Sequence, residues 1–451
     1  MAIMIRYGLA AFILMLGAGV VAGAAAAGEP RVEPPAITSP ALDSFIAEAL
    51  DRSQELAAIR ARIEAAEAKI KPAGALPDPM VSAGFQNIPV GQGVALDKDP
   101  MSSFAVMGSQ EVPPAAMRRS MRAVMSDDVL MLRATLDDTR NDIVRKVKQS
   151  YIDVQYQDEA LAIAERNRDT AKDMLATAEA RYSTGKVMQQ DVFQSQVRLS
   201  QMVDMVVMRQ RERAMAATRL NRLLYRSESE PVPPLPPLRR SDVHIAIADL
   251  RALALESNPR LQEMSIRVGQ AARSERVAAL GIRPMWSFSV AYMFRQPVEM
   301  NPMSGDDMWS ATVGMTLPWV YRRDKVDEEV RRAKAQQQAA SRDLEAMQNE
   351  VCGMVEETVI DIGRADDQLS LVETGLLPQA ESAYAASRAS YTTGKGEVLD
   401  MLMNQMNLYN LELQRVMLLM QRGRAIADVE YTVGGSLTAQ AAQPEVSGGQ
   451  Q

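Results

Sequence analysis

Residues 285–295 have the sequence MWSFSVAYMFR, in which large apolar side chains alternate with small or polar ones. A period of two residues is typical of a β-strand with two different faces, and about ten residues are enough to cross a bilayer. The large side chains share one face, which we predict to contact lipid. This predicted lipid face includes Trp286, Phe288, Val290 and Tyr292.

A second alternating stretch follows at residues 308–317, after a loop rich in Pro, Asn, Gly and Asp. Its apolar positions include Trp309, so the two stretches predict a β-hairpin that exposes apolar side chains to lipid on both strands. Residues 79–88 and 103–112 repeat the scheme more weakly, because Gln110 falls among the apolar positions. The sequence therefore predicts four strands in two hairpins.

Long helices are predicted after both hairpins. Residues 115–181 carry apolar side chains at helical spacings, and neither Pro nor Gly occurs between Pro114 and Gly185. At 1.5 Å per residue this helix would extend roughly 100 Å. In the second half the matching segment is 320–390, where Pro378 predicts a kink or an offset. Shorter return helices are predicted at 188–225 and 397–431.

An internal duplication organises the chain. The sequence PMVS at 79–82 recurs as PMWS at 284–287, and further matches keep the same offset of 205 residues. Colinear matches of this kind indicate two structural repeats. The predicted organisation is a first repeat at 43–230, a Pro-rich linker at 231–240 and a second repeat at 241–434.

The duplication also pairs two short turns. The sequence YSTG at 182–185 recurs as YTTG at 391–394, each time between a long helix and its return helix. A glycine just after a helix favours a sharp turn. We therefore predict that the tips of two helical hairpins are formed by Tyr182, Gly185, Tyr391 and Gly394.

The first 27 residues predict export. Arg6 precedes an apolar stretch that ends in small residues, which is the pattern of a cleaved signal peptide at 1–27. An uncleaved anchor helix is the alternative. A Pro-rich segment follows at 28–42, and a disordered tail is predicted at 435–451.

The composition argues against an enzyme. One cysteine, Cys352, and one histidine, His244, exclude an intrachain disulfide, a zinc site of Cys and His ligands and most His-based acid/base schemes. A net charge of −7 gives no basic surface for nucleic acid. We therefore expect no catalytic residues, no cofactor and no nucleic-acid partner.

Four strands cannot close a barrel alone, because the smallest outer-membrane barrels use about eight and open edges are not tolerated in lipid. Closure must come from identical subunits. A dimer would supply about eight strands, a trimer about twelve and a tetramer about sixteen. Because both hairpins join long helices at one end and loops at the other, the helices would form a tube on the periplasmic side.

These features resemble the TolC family of outer-membrane efflux channels. The resemblance covers about Asp43 to Tyr431 and is carried by the duplicated element order, the two turns, and the motifs ALPDPM (75–80), NIPV (87–90) and SNPRL (257–261). The first two motifs are most similar to the heavy-metal efflux branch. The resemblance implies an α plus membrane β fold: a homotrimer with a β-barrel of about twelve strands, continued by a periplasmic α-helical barrel.

The resemblance also implies a function and partners. The protein would be the exit duct of a tripartite pump, sitting in outer-membrane lipid and working with a periplasmic adaptor and an inner-membrane transporter of the RND type. A type I protein-secretion channel or a drug-efflux channel is the alternative. From a different class, a periplasmic coiled-coil adaptor would share the long helical hairpins.

In that family acidic side chains close the periplasmic end of the tube. Asp400 occupies the position of the first family aspartate, whereas the second position is Met403 and an arginine of some members is replaced by Gly396. Asp191, in the first repeat, is a further predicted gate residue that would hydrogen-bond a neighbouring helix. The alternative is that both aspartates are solvated residues of a first helical turn, favoured by the helix dipole.

The sequence does not decide which residues, if any, bind a metal ion. The chain has 30 methionines, and Met293, Met300, Met303 and Met308 surround the second hairpin loop. Thioethers bind soft ions, but Met also replaces Leu in helix cores. A heavy-metal cargo is therefore implied by the resemblance alone.

Overall fold

The computed structural model describes residues 40–90, 94, 96–97, 99–240, 246–298, 305–321, 323–435 and 437. The predicted signal peptide at 1–27, most of the tail predicted at 435–451, and His244 lie outside the described residues. The described part is mostly helical, with four strands in one sheet.

The two repeats have the same element order. The first consists of α1 (Pro40–Arg52), α2 (Gln54–Ala73), β1 (Met80–Gln86), β2 (Ser103–Val112), α3 (Ala115–Ser183) and α4 (Gln189–Leu223). The second consists of α5 (Ile247–Ser257), α6 (Pro259–Leu280), β3 (Trp286–Arg295), β4 (Met308–Met315), α7 (Pro318–Tyr321), α8 (Arg323–Leu371), α9 (Leu377–Thr393) and α10 (Val398–Thr432).

Several boundaries differ from the sequence predictions. Helix α1 begins at Pro40, within the Pro-rich segment predicted at 28–42, because Leu42 and Phe45 are buried and hold this end in the core. Strands β1 and β4 are shorter than the stretches predicted at 79–88 and 308–317. Both are edge strands with a partner on one side only. Pairing ends at Met80 opposite Ser109 and begins at Met308 opposite Met293, so each edge strand stops before the far end of its partner.

Matching caps begin the second helix of each repeat. Ser53 accepts a hydrogen bond from the backbone amide of Leu56 at the start of α2. Asn258, 205 residues later, accepts from the amide of Leu261 at 3.3 Å and has Pro259 in the first turn. These are preferred N-cap residues, and they explain the SNPRL motif.

The longest helix is α3, whose 69 residues correspond to roughly 100 Å. Its counterpart is not one uniform helix, because a π-helical turn at Val372–Leu376 separates α8 from α9. Pro378 lies in the first turn of α9. A proline lacks the amide hydrogen and crowds the preceding turn, so the predicted offset takes the form of a widened turn just before it.

The sheet is antiparallel with the order β1-β2-β3-β4, so the hairpins of the two repeats are joined through β2 and β3. Gln110, the polar residue on an apolar face, pairs with Phe288. Its amide donates hydrogen bonds to the carbonyl oxygens of Pro77 and Glu111 at 2.7 and 2.9 Å. The side chain therefore satisfies backbone groups at the end of the sheet nearest the helices.

The repeats pack together along α3 and α10. Lys148 of α3 forms an ion pair of 2.6 Å with Glu430 of α10, and each side chain is 9% exposed. Nearby, the guanidinium of Arg145 lies 4.6 Å from the ring centroid of Tyr431. Burial and the neighbouring Asp138 carboxylate raise the pKa of Tyr431 to about 12.

The linker lies along α3, where Gln155 donates a hydrogen bond to the carbonyl oxygen of Pro236 at 2.7 Å.

Candidate functional site

Strand β3 exposes one face of large apolar side chains and partly shields the other face. The exposed side chains are Trp286, Phe288, Val290, Tyr292 and Phe294, whereas Ser287 and Ser289 are half-buried. Val290 is 60% exposed and Trp309 on β4 is 73% exposed. This is the reverse of a water-soluble sheet and agrees with a membrane strand, which is apolar outside. None of the helices in the described part of the chain has an apolar stretch of the length that a membrane span needs.

Two tryptophans lie at opposite ends of this apolar face. Trp286 pairs with Met315 near the helices, and Trp309 pairs with Tyr292 near the hairpin loop. Trp286 and Tyr292 are an even number of residues apart on one strand and therefore share a face, separated by about 20 Å. That separation is close to the height of the apolar band of outer-membrane barrels, which is about 25 Å and flanked by aromatic residues.

An aromatic row crosses the sheet near the loops. Phe85 of β1 packs against Phe104 of β2 with ring centroids 5.3 Å apart, and Phe104 lies 6.3 Å from Phe294 of β3. Tyr292 continues the row at 4.8 Å from Phe294. Aromatic side chains concentrate where a membrane meets water, so this row marks the outer rim of the apolar face.

The two helical hairpins end in the same turn. Gly185 and Gly394 have φ angles of 69° and 82°, a left-handed conformation that favours glycine. The next amide donates back into each helix, from Lys186 to the carbonyl oxygen of Arg181 at 3.0 Å, and from Lys395 to Ser390 at 2.9 Å. The duplicated sequence thus forms the same tip twice.

The two tip tyrosines have different surroundings. Tyr182 is 47% exposed, whereas Tyr391 is buried against Met174 and Met401. The guanidinium of Arg181 covers the Tyr391 ring at 4.9 Å from its centroid. Burial raises the pKa of Tyr391, with a further increase from Asp191 and an opposing decrease from Arg181. The structure therefore brings Tyr391, Asp191 and Arg181 together at the second tip.

The two predicted gate aspartates lie in the first turns of the return helices, and Met403 lies about one turn after Asp400. Asp191 is half-buried in α4, whereas Asp400 and Met403 are exposed on α10. Gly396 occupies the position of the family arginine, and a Cβ atom there would lie 2.9 Å from the Cβ of Ser390. The ion pair that such an arginine would make is therefore absent at this position.

Residues 45–224 and 250–435 match the family described as outer membrane efflux protein. The chain belongs to this family. The two matched ranges correspond to the two structural repeats, so the family pattern includes both hairpins, both tips and all the long helices. None of the curated proteins matches the chain.

Solved channel structures have the same fold. The outer-membrane channel OprN is 18% identical, with a TM-score of 0.74 over 89% of this chain and 92% of OprN. VceC from Vibrio cholerae is 16% identical, with a TM-score of 0.72 over 88% of this chain and 96% of VceC. The open state of the MtrE channel of Neisseria gonorrhoeae is 18% identical, with a TM-score of 0.72 over 88% and 90% of the two chains.

Membership of the outer membrane efflux protein family determines location and general role. The protein is a non-enzymatic efflux duct of a Gram-negative outer membrane, and it extends into the periplasm. Channels of this family act as trimers with adaptor and inner-membrane pump partners. The alternative of a periplasmic adaptor is therefore not retained.

The described residues contain no group of three or more His, Cys, Asp or Glu side chains that could hold a metal ion. Met300 and Met303 lie outside the described residues, while Met293 and Met308 face each other across β3 and β4. The guanidinium of Arg295 donates to the Met308 sulfur at 2.8 Å. A fixed positive charge beside this thioether opposes the binding of a metal cation.

Two arginines near the tips were not predicted from the sequence. Arg181 precedes Tyr182 in the first repeat, whereas Ser390 holds the equivalent position in the second repeat. This difference between the repeats is the sequence signal that could have indicated a role for Arg181. Arg198 occupies a buried position of α4 between Ser195 and Met202, where helical spacing favours an apolar residue. A charged residue within such a buried stripe is the signal for a polar interaction.

Proposed function

We propose that three copies of this chain assemble into one efflux duct, closed as a barrel of about twelve strands in the outer membrane and continued by a periplasmic tube of helices. The observation that carries the proposal is the exposed apolar face of a four-stranded sheet with free edges at β1 and β4. Free edges are costly in lipid, and pairing β4 of one copy with β1 of the next removes both.

We propose that the duct completes a tripartite pump, with a periplasmic adaptor and an inner-membrane transporter of the RND type. Membership of the outer membrane efflux protein family supports an adaptor and an inner-membrane pump as partners of this protein. The RND type rests on the resemblance of the ALPDPM and NIPV motifs to the heavy-metal branch. The same resemblance supports heavy-metal ions as cargo.

We further propose that the duct is gated at its periplasmic end. Asp400 is exposed at the start of α10, beside the tip formed by Tyr391 and Gly394. In a trimer, threefold symmetry brings three such carboxylates towards the axis, where they attract cations and narrow the opening. Asp191 lies near Tyr391 and in this way stabilises the neighbouring helix α9. Met403 adds an apolar side chain in place of a second acid.

Deletion of the gene, followed by complementation, tests this function. The deletion strain should become sensitive to heavy-metal salts, and the wild-type gene should restore resistance. A strain that stays resistant to metals but becomes sensitive to organic drugs would show that the cargo is an organic drug rather than a metal ion. The assignment as an efflux duct would then still hold. Loss of a secreted protein, with no change in metal or drug sensitivity, would favour a type I secretion channel.

A further inference from the structure

Arg198 is a buried cation without an acidic partner among the described residues. Its side chain lies between α4 and α10, and the residue is 7% exposed. Nε donates to Gln405 at 3.5 Å and Nη1 donates to Gln201 at 3.4 Å, while Nη2 has no hydrogen-bond partner. Burial lowers the pKa of Arg198, against the opposing effect of Tyr409. A buried guanidinium is ordinarily paired with an anion, and Arg198 lacks such an anion among the described residues.

Arg198 lines an apolar cleft at the periplasmic end of the helices. The cleft has a volume of about 670 Å³, which is within the usual range for small-molecule sites. Its apolar wall is formed by Phe193, Val197, Leu399, Leu402, Met403 and Met406. Four glutamine amides complete the lining, and no carboxylate is present among the lining residues. The cleft thus combines apolar surface, neutral donors and one positive charge.

We infer that this cleft binds an amphiphilic organic anion, with its carboxylate or sulfonate paired to Arg198 and its apolar body against the side chains of Phe193 and Met406. The guanidinium can donate two parallel hydrogen bonds to such a head group. The free Nη2 supplies one, and exchange of the long bond to Gln201 supplies the second. A cation of the same shape is repelled.

The occupant is a small molecule rather than a segment of another protein. Nη2 exposes less than 1 Å² of surface, so an anion reaches it only after a lining side chain moves aside. A mobile head group enters by displacing a flexible glutamine such as Gln201. The bound molecule then touches α4 of the first repeat and α10 of the second, and it holds the two together near their tips. This site shares Met403 with the proposed gate, but it does not depend on which cargo the duct carries.

Binding of 2-naphthoate to the assembled protein in phosphatidylcholine nanodiscs tests the inference, with 2-naphthamide as the neutral compound of the same shape. Isothermal titration, corrected with empty nanodiscs, should show that the carboxylate binds about tenfold to a hundredfold more tightly than the amide, as expected for a charged hydrogen bond. In Arg198→Gln this preference should disappear. Arg211→Gln, at an exposed position on the same helix, should retain it.

The comparison of two compounds on the wild-type protein does not depend on how any variant folds. Equal affinity for the carboxylate and the amide overturns the inference. So does an unchanged preference for the carboxylate in Arg198→Gln. If the wild-type assembly binds neither compound, the inference is also wrong, and a neighbouring protein chain then fills the cleft.

Discussion

The guanidinium of Arg181, at the end of α3, lies 4.9 Å from the ring centroid of Tyr391, at the end of α9. This contact joins the tip of the first repeat to the tip of the second. A cation over a partly desolvated aromatic ring contributes about 1 to 2 kcal/mol. Gly396 occupies the position of the family arginine, and the Arg181–Tyr391 contact is one of the links between the two hairpins, beside the packing of Met174 against Met401.

Replacing Arg181 by Ala should therefore loosen the tips. We expect a larger single-channel conductance in planar bilayers and increased entry of large antibiotics into cells that carry the variant. Arg168→Ala on the same helix is the matched control, because its exposed pair with Asp169 contributes little. Unchanged conductance in Arg181→Ala would show that the contact does not hold the tips together.

Removal of the acidic gate residue should also open the duct. Asp400→Ala is expected to raise conductance and to weaken block by multivalent cations added on the periplasmic side, because three negative charges near the axis are lost. Asp191→Ala should have a smaller effect, since Asp191 is half-buried beside Tyr391. Met403→Asp should strengthen the block. Wild-type block in Asp400→Ala would remove this residue from the gate.

Charge on the apolar face should prevent insertion. Phe288→Arg should cost about 2 to 4 kcal/mol near the middle of the membrane and lower the folded fraction in a gel assay of heat-modifiable assembly. Ser287→Arg places the same charge at nearly the same depth on the opposite face of β3, and it should impair insertion less. Equal insertion of the two variants would mean that the two faces of β3 are assigned the wrong way round.

The buried ion pair between the repeats should respond differently to single and double substitution. Lys148→Met removes the ammonium group that pairs with the buried Glu430 carboxylate and should cost about 3 to 5 kcal/mol. The double variant Lys148→Met with Glu430→Leu should recover much of that stability, because no buried charge remains. Denaturant unfolding followed by circular dichroism measures both. A double variant as unstable as the single one would show that packing, rather than charge, accounts for the loss.

Periodicity was sufficient for the long elements. The predicted helix at 115–181 and the observed Ala115–Ser183 differ by two residues at one end, because a run without Pro or Gly leaves few alternatives. Pro378 indicated an irregularity, but the sequence does not distinguish a kink from a π-helical turn. That choice depends on how α8 and α9 pack along α10.

Contacts between the repeats were not accessible from the sequence. The pairing of β2 with β3 joins residues 174 to 192 positions apart in the sequence, and the alternation within each strand does not predict that register. Arg181 and Arg198 were also missed, since their roles depend on partners in α9 and α10. Asp191, Asp400 and Met403 were located by motif, and their part in gating stays a prediction.

The mass of the assembled protein tests the central claim most directly. Native mass spectrometry of the protein extracted from outer membranes in a mild detergent should give three copies of the chain, because β1 and β4 of a single copy have free edges that only neighbouring copies can pair. A mass of one or two chains, for protein that still folds and inserts, would contradict the trimeric duct.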